Sequence, residues 1–211
     1  YNDVRAAGVI VVAAAGNEAS GTPSYPASFD GVISVAAVDS QRRSAPYSNF
    51  GNRVDIAAPG GDNGEDLNGD GYPDGVLSTA GSIAESGAVG FVYSFLNGTS
   101  MAAPHVAGVL ALMKSVNGDL SPADIDSLLE RGDLSDDLGT AGRDDIFGHG
   151  LINAQRAVVA ALTAAGSPPA DNPRLSASTG LLNFGSAGQT LLLQLQNSGN
   201  GDLNLNSLTT T

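Results

Sequence analysis

The stretch NGTSMAAPHVAG, residues 97–108, decides the fold, because it places Ser100 at the start of a long apolar run. Residues 99–117 are mainly Ala, Val, Leu and Met, with no charge before Lys114, which predicts a helix buried nearly all round. Pro104 is compatible with that helix only in its first turn, so the helix should begin near Ser100. The unpaired backbone N–H groups at such a helix start could hold a developing oxyanion. Taken alone, a serine at this place is more often a simple helix cap.

Three largely apolar segments precede this helix: the continuous run at residues 9–15, and residues 31–38 and 53–58. Strands that are apolar on both faces are typical of parallel sheets covered by helices, so these runs predict an α/β fold with a parallel sheet. A short strand is expected at residues 76–79. The small and polar residues 80–90 predict a loop.

The sequence after the long helix predicts two more helices and a change of domain. SPAD at residues 121–124 supplies a capping serine, a first-position proline and an acidic third residue, which together predict a helix start. The apolar spacing of residues 151–162 predicts a further helix. We expect the main domain to cover residues 1–165, with a Pro-rich linker at 166–174. Residues 175–211 read as the start of a β-sandwich-like accessory domain.

Composition excludes several classes of function. The chain of 211 residues has nine basic and 22 acidic residues and a net charge of −13, which opposes binding of nucleic acid. It has no cysteine, so thiol chemistry and cysteine-based zinc sites are excluded. No apolar run reaches the roughly 18 residues that a membrane-spanning helix needs.

A loop rich in aspartate, asparagine and glycine, residues 66–74, has the spacing of the first part of a calcium loop. Position 12 of such a loop would be Leu77, where a bidentate glutamate is expected, so an ordinary Asx-rich turn is a serious alternative. The predicted calcium ligands are Asp66, Asn68, Asp70, the Tyr72 carbonyl and Asp74.

The run at residues 97–108 closely resembles the nucleophile segment of the subtilisin-like serine proteases. Further segments resemble the same family in the same order along the chain, and together the resemblance covers about Tyr1 to Leu162. The fold implied is the family's three-layer domain with a parallel sheet, with its N-terminal strands missing. These segments lie at residues 8–18, 25–28, 32–37, 47–51, 54–60 and 147–154.

The resemblance implies acyl transfer at a peptide bond of a polypeptide substrate. Ser100 would be the nucleophile, and its backbone N–H and the Asn17 side-chain amide would hold the oxyanion. The first specificity pocket would be lined by Ala13, Ala14, Ala15 and Gly16. Taken alone, Asn17 is more often a turn or cap residue after a strand. Because Ala102 stands where the second glycine of a Gly-x-Ser-x-Gly elbow is required, an esterase of the α/β-hydrolase type is disfavoured.

A serine nucleophile needs a base, and the chain has only two histidines. His105 follows Ser100 by five residues, about 140° around a helix and about 7.5 Å along it, so the two side chains diverge. His149 matches no catalytic position of the family and is expected to be a surface or helix-entry residue. In subtilases the triad order is Asp, His, Ser. We therefore expect the chain to be inactive unless an N-terminal part of the same domain supplies the Asp and the His.

Two functions stay open at this point. The first is an extracellular subtilisin-like endopeptidase, a location favoured by the acidity, the absence of cysteine and the resemblance. The second is a non-catalytic scaffold that binds calcium or serves in surface display.

Overall fold

The computed structural model describes residues 1–83, 87, 89–164, 175–177 and 195–197. The chain divides into two compact units, Tyr1–Ala165 and Gly166–Thr211. In the second unit, the strands Leu175–Ala177 and Leu195–Asn197 pair antiparallel. The predicted linker at 166–174 lies outside the described residues, as does most of the expected accessory domain, so both stay predictions.

The described part of the first unit contains both helices and strands. The helices are α1 (Asn2–Ala6), α2 (Thr99–Val116), α3 (Pro122–Glu130) and α4 (Ala154–Ala164). The strands are β1 (Val11–Ala14), β2 (Val32–Val38), β3 (Ile56–Pro59), β4 (Val76–Ile83), β5 (Val89–Leu96), β6 (Ser135–Asp136) and β7 (Leu151–Ile152). In the second unit, β8 is Leu175–Ala177 and β9 is Leu195–Asn197.

A mainly parallel sheet organises the first unit, with the strand order β1-β2-β3-β7-β6. Strands β1, β2, β3 and β7 run parallel, and β6 pairs antiparallel with β7 at one edge. Every residue of β2 is buried, as expected for a central strand that is apolar on both faces. The predicted α/β fold with a parallel sheet is therefore confirmed.

Helix α2 packs on β1, β2 and β3 and against α4, and this contact is the core of the unit. Met113 of α2 is fully buried, next to sheet residues such as Val35 and Ile56. Burial of one side chain of this size contributes about 1.5–3 kcal/mol to stability.

The prediction of a helix buried nearly all round was wrong. One face of α2 is exposed, with Leu112 50% accessible and Val116 41% accessible, because the sheet covers only the opposite face. Pro104 is the sixth residue of α2 and so lies in the second turn rather than the first. Because proline has no N–H, the Ser100 carbonyl lacks the donor that an unbroken helix would supply four residues later.

The prediction of a loop over residues 80–90 was also wrong for most of that range. β4 continues to Ile83 and pairs antiparallel with β5 over eight residues on each strand, from Val76 opposite Leu96 to Ile83 opposite Val89. Small residues such as Ala80 and Gly81 have weak strand preference by themselves. The cross-strand partners on β5, which is rich in aromatic and β-branched residues, decide the structure.

The C-terminal helices agree with the sequence in part. At α3, Ser121 accepts a hydrogen bond from Asp124 N and the Asp124 carboxylate accepts one from Ser121 N, which is the predicted reciprocal cap. The helix expected at 151–162 begins only at Ala154, because Leu151–Ile152 forms β7 beside β3. Within the described residues, no helix combines the length and apolarity needed to cross a membrane.

Candidate active site

The predicted site residues meet at the carboxyl edge of the parallel sheet, where ligands of open α/β sheets generally bind. Asn17 follows the end of β1. The chain just after β3 accepts a hydrogen bond at the Gly60 carbonyl from Gly98 N, at 3.0 Å. That bond brings the start of α2, and therefore Ser100, to the same edge.

Ser100 is the second residue of α2 and is exposed. Its hydroxyl makes no hydrogen bond to any residue in the described part of the chain. As one of the first residues of the helix, it has a backbone N–H with no partner inside the helix. The hydroxyl and this N–H therefore lie together at the positive end of α2.

Thr99 fixes the orientation of the Asn17 amide. Asn17 Oδ1 accepts hydrogen bonds from Thr99 N and from Thr99 Oγ1, both at 2.8 Å. Thr99 Oγ1 in turn accepts from Gly16 N at 3.2 Å, and Thr99 is fully buried. Because the oxygen of the amide is engaged in this way, Asn17 Nδ2 is left as a donor on the other side.

Gly98 keeps open the space into which that donor faces. A Cβ atom at Gly98 would lie 3.4 Å from Asn17 Nδ2, 3.7 Å from Ser100 N and 3.7 Å from Asn17 Oδ1, so both nitrogens lie within 4 Å of one point and the bonded amide oxygen lies there too. The φ of Gly98 is 148°, in a region that favours glycine. Two N–H donors beside one point next to a serine hydroxyl are an arrangement able to stabilise an oxyanion.

Asn49 holds the segment that carries Asn17. Its Oδ1 accepts from Glu18 N at 2.9 Å and from Ser20 N at 3.1 Å, and its Nδ2 donates to Ala15 O at 3.0 Å and to Glu18 Oε2 at 2.8 Å. Asn49 is buried, so these bonds satisfy all its polar atoms.

Sequence reasoning assigned no role to Thr99 or Asn49. The sequence signal for a structural role is their polarity, because each lies in a motif next to apolar segments. A polar side chain that becomes buried there must find hydrogen-bond partners. The partners lie 29 to 83 residues away along the chain, so the sequence gives no means of naming them.

Tyr47 binds the chain segment that follows β3, next to the site. Its hydroxyl donates to Gly61 O at 2.6 Å, just after β3. Burial raises the pKa of Tyr47 to about 12, so the phenol stays protonated and keeps this donor at any physiological pH.

In the described part of the chain, neither histidine is hydrogen-bonded to Ser100. His105 is exposed, and its Nδ1 is 2.8 Å from the Met101 carbonyl of its own helix. His149 N donates to Asp55 O at 2.8 Å, at the start of β3, whereas Ser100 lies beyond the other end of that strand. Burial and the Arg143 charge lower the pKa of the half-buried His149, so it is less readily protonated than a free histidine.

A cavity of about 470 Å³ lies beside Ser100, between α2 and the base of the β4–β5 hairpin. Its walls are mainly apolar. They are formed by Val76, Leu77, Ser78, Thr79, Leu96, Ser100, Met101, Pro104 and His105.

The residues predicted to line the first specificity pocket lie on and just after β1. Ala13 and Ala14 are half-buried in the strand, Ala15 is buried and donates from its N to Val35 O at 3.0 Å, and Gly16 is half-buried. Their role in substrate binding stays a prediction.

The predicted calcium loop is closed by its own backbone. The Asp66 carboxylate accepts from the backbone N–H groups of Gly69, Asp70 and Gly71, and Asn68 Nδ2 donates to Asp70 at 3.1 Å. These are bonds of an Asx-rich turn, and calcium would have to compete with the amides for the Asp66 oxygens.

The other end of the loop is tied elsewhere. Asp74 accepts from Leu67 N at 2.8 Å and from Ser40 Oγ at 3.0 Å, and Tyr72 stacks on Phe95. In the described part of the chain, no three carboxylate or imidazole groups gather into a possible metal cluster. Calcium binding stays a prediction, which calorimetry on the folded protein tests.

Comparison with known proteins identifies the family of the chain. The sequence pattern of the Subtilase family matches residues 2–150. The chain belongs to the subtilase family. Among curated relatives, this subtilase is 36% identical over 156 residues to M-protease from Shouchella clausii strain KSM-K16, covering 74% of this chain and 34% of that protein. It is 36% identical to Subtilisin Savinase from Lederbergia lenta, covering 74% of this chain and 48% of the relative. An Extracellular protease from Xanthomonas campestris pv. campestris is 40% identical over 163 residues, covering 76% and 25%.

Solved structures show the same likeness. A protease from Pseudoalteromonas arctica PAMC 21717 superposes with a TM-score of 0.61 at 37% identity, covering 76% of this subtilase and 45% of that chain. A lanthipeptide protease superposes with the same TM-score at 28% identity, covering 74% and 53%. The subtilase described here thus spans about a third to a half of the length of the first curated relatives that it matches.

Proposed function

We propose that the protein is a serine-type endopeptidase that hydrolyses peptide bonds, with Ser100 as the nucleophile and Asn17 as a donor to the oxyanion. The observation that carries the proposal is the approach of Asn17 Nδ2 and Ser100 N to one point beside Gly98, at 3.4 and 3.7 Å. Family membership and relatives named as proteases support the same activity.

In the proposed reaction, Ser100 Oγ forms a bond to the substrate's carbonyl carbon while its proton passes to a base. The carbonyl electron pair moves onto the oxygen, which then accepts from Asn17 Nδ2 and Ser100 N. Collapse of this intermediate breaks the C–N bond, and the base gives the proton to the leaving amine. Water then cleaves the acyl-enzyme by the same sequence of steps.

The base and the acid that orients it are part of the proposal. His105 is bonded within its own helix, and His149 lies at the opposite end of β3. We therefore propose that a histidine and an aspartate from a part of the same domain outside these 211 residues complete the site. The exposed face of α2, and the position of β1 at the edge of the sheet formed by the described residues, are consistent with such a part.

An extracellular location is the second part of the proposal. The acidic composition suits a secreted enzyme, and the Xanthomonas campestris relative is named as extracellular. Protease activity in the medium of the producing cells, with little inside them, is the expected result.

Labelling with a fluorophosphonate probe tests the function. The probe should label the whole gene product at Ser100, and Ser100→Ala should abolish the labelling. Ser115→Ala, a change on the exposed side of the same helix, is the matched control and should label normally. If a protein that is folded by circular dichroism is not labelled, the proposal is wrong and the non-catalytic scaffold is favoured instead.

A further inference from the structure

The β4–β5 hairpin has one face that is uncharged and largely apolar. Residues opposite each other in an antiparallel pair share a face, and so do residues two apart on one strand. The register therefore collects eight side-chain positions on what we call the hairpin face. These are Leu77, Thr79, Gly81, Ile83, Val89, Phe91, Tyr93 and Phe95.

Large side chains of the hairpin face are strongly exposed. Phe91 is 88% accessible, Ile83 78% and Tyr93 77%. The two strands form a sheet of their own in the described part of the chain. A contiguous exposed apolar patch of this kind is typical of a surface that binds another molecule.

The hairpin face is continuous with the surroundings of Ser100. Leu77 and Thr79, at the base of the face, line the cavity of about 470 Å³ that Ser100 and Met101 also line; Val76, Ser78 and Leu96 reach the same cavity from the opposite face. A polypeptide whose scissile bond lies at Ser100 can therefore continue along the hairpin without leaving the protein surface.

Gly81 leaves a gap in the middle of the hairpin face. A Cβ at Gly81 would meet only the Gly90 carbonyl oxygen, at 4.0 Å, so the space in front of this glycine is open. The gap lies opposite Phe91 and belongs to a cavity of about 490 Å³. The hairpin face lines this cavity with Thr79, Gly81, Phe91 and Tyr93, and the opposite face contributes Ala80 and Val92.

We propose that the hairpin face is an exosite that binds an extended apolar segment of the polypeptide substrate, with one apolar side chain of that segment seated in the gap at Gly81. This inference rests on the proposed function. Leu77 and Gly81 are four residues apart on one strand, about 13 Å. The seated residue should therefore lie about four residues from the one in the cavity beside Ser100.

Charge favours the same occupant. The strand residues of the hairpin carry no charge, in a chain whose net charge is −13. The face offers no cation to an acidic segment, and the field of the whole chain repels one. A neutral segment with apolar side chains therefore fits the hairpin face. It can bind as an extra strand along the hairpin or through contacts of its side chains.

Internally quenched peptides test the exosite on the whole gene product. The two peptides of a pair have the same residues around the cleaved bond. They differ at one position, four residues from that bond, where one has Leu and the other has Ser. One pair has this position on the N-terminal side of the bond and a second pair has it on the C-terminal side. We expect wild-type protein to prefer the Leu peptide severalfold in kcat/KM, through KM, on one side only. Gly81→Val fills the gap and should reduce that preference at least threefold. Ser82→Val adds the same side chain on the opposite face and should keep it.

Other occupants of the hairpin face are outcomes that overturn the inference. Phe91→Ser should leave the midpoint of thermal unfolding within about 2 °C, because Phe91 is exposed. A fall of many degrees would mean that another part of the protein covers the face. If the wild-type protein sediments as a dimer and Phe91→Ser sediments as a monomer, a second copy of the chain covers the face. Equal peptide preference in Gly81→Val and Ser82→Val would also overturn it.

Binding without catalysis separates this inference from the proposed function. The fluorescence anisotropy of the dye-labelled Leu peptide with the Ser100→Ala protein reports the exosite alone. Weaker binding after a second change, Gly81→Val, supports the exosite even if no activity is found. Hydrolysis of a short chromogenic peptide that cannot reach the hairpin reports the proposed function alone.

Discussion

The segment that follows β1 and the β4–β5 hairpin both border Ser100, and they are stabilised in different ways. Buried polar groups hold the first region. The Asn49 side chain accepts two hydrogen bonds and donates two, and Thr99 takes part in three. The second exposes apolar side chains such as Phe91. A donor aimed at an oxyanion must be fixed before the reaction, because reorganisation in the transition state is costly. A surface that binds varied peptides needs only shape and apolar area.

The largest effect should come from the fixed side. Asn17→Ala removes one oxyanion donor, and we expect kcat of the whole gene product to fall about 10²- to 10³-fold, the range found in subtilisin for such a loss. KM should change little. Asn17→Asp, which keeps an acceptor for Thr99 but has no N–H, should lose as much activity. An active Asn17→Asp protein would show that Asn17 only positions the α2 start.

Asn49 should matter for stability rather than for chemistry. Asn49→Ala leaves buried donors and acceptors of the segment after β1 unpaired, which should lower the free energy of unfolding by about 1–3 kcal/mol. Urea unfolding measures the change. Asn52→Ala, at an exposed neighbouring position, should stay within about 0.5 kcal/mol of wild type. Equal effects of the two variants would contradict the comparison.

The hairpin side should respond less. Tyr72 stacks on Phe95 with ring centroids 5.9 Å apart, and this aromatic pair joins the 66–74 loop to the hairpin face. Tyr72→Ala should lower the free energy of unfolding by about 0.5–1.5 kcal/mol. Tyr72→Phe keeps the ring and should be close to wild type. A loss above that of Asn49→Ala would show that the hairpin is as tightly held as the other side.

The smallest effect concerns pH and lies away from both regions. The folded-state pKa of His149 is lowered by burial, so its contribution to stability is present above about pH 6.5 and is lost as pH falls through the folded-state pKa. Urea unfolding at pH 7.5, 6.5 and 5.5 should show a fall in stability that is reduced in His149→Gln. Identical pH slopes in the two proteins would rule out this contribution.

Much of the fold could be predicted because local pattern and tertiary structure agree there. The largely apolar segment 31–38 contains the fully buried β2, and the predicted Ser121 cap is confirmed in detail. The errors arose where the partner is distant. The strand residues after Thr79 depend on β5, and the β7 strand depends on its place beside β3.

The candidate site shows the same limit. Ser100 and Asn17 could be named from motifs, and the structure brings them to one edge of the sheet. The geometry between them depends on two other residues. Thr99 supplies a buried hydroxyl that bonds to Asn17, and Gly98 leaves space because it has no side chain. Sequence patterns carry neither the direction of a hydrogen bond nor the space left by a missing Cβ.

The bonds between Thr99 and Asn17 join positions 82 residues apart in the chain. The start of α2 and the turn after β1 therefore acquire their working geometry in one cooperative event, and neither forms it on an isolated peptide. Partial opening of either element dismantles both. In a denaturant titration, reactivity of the serine should then disappear with the global loss of structure and leave no inactive but folded population.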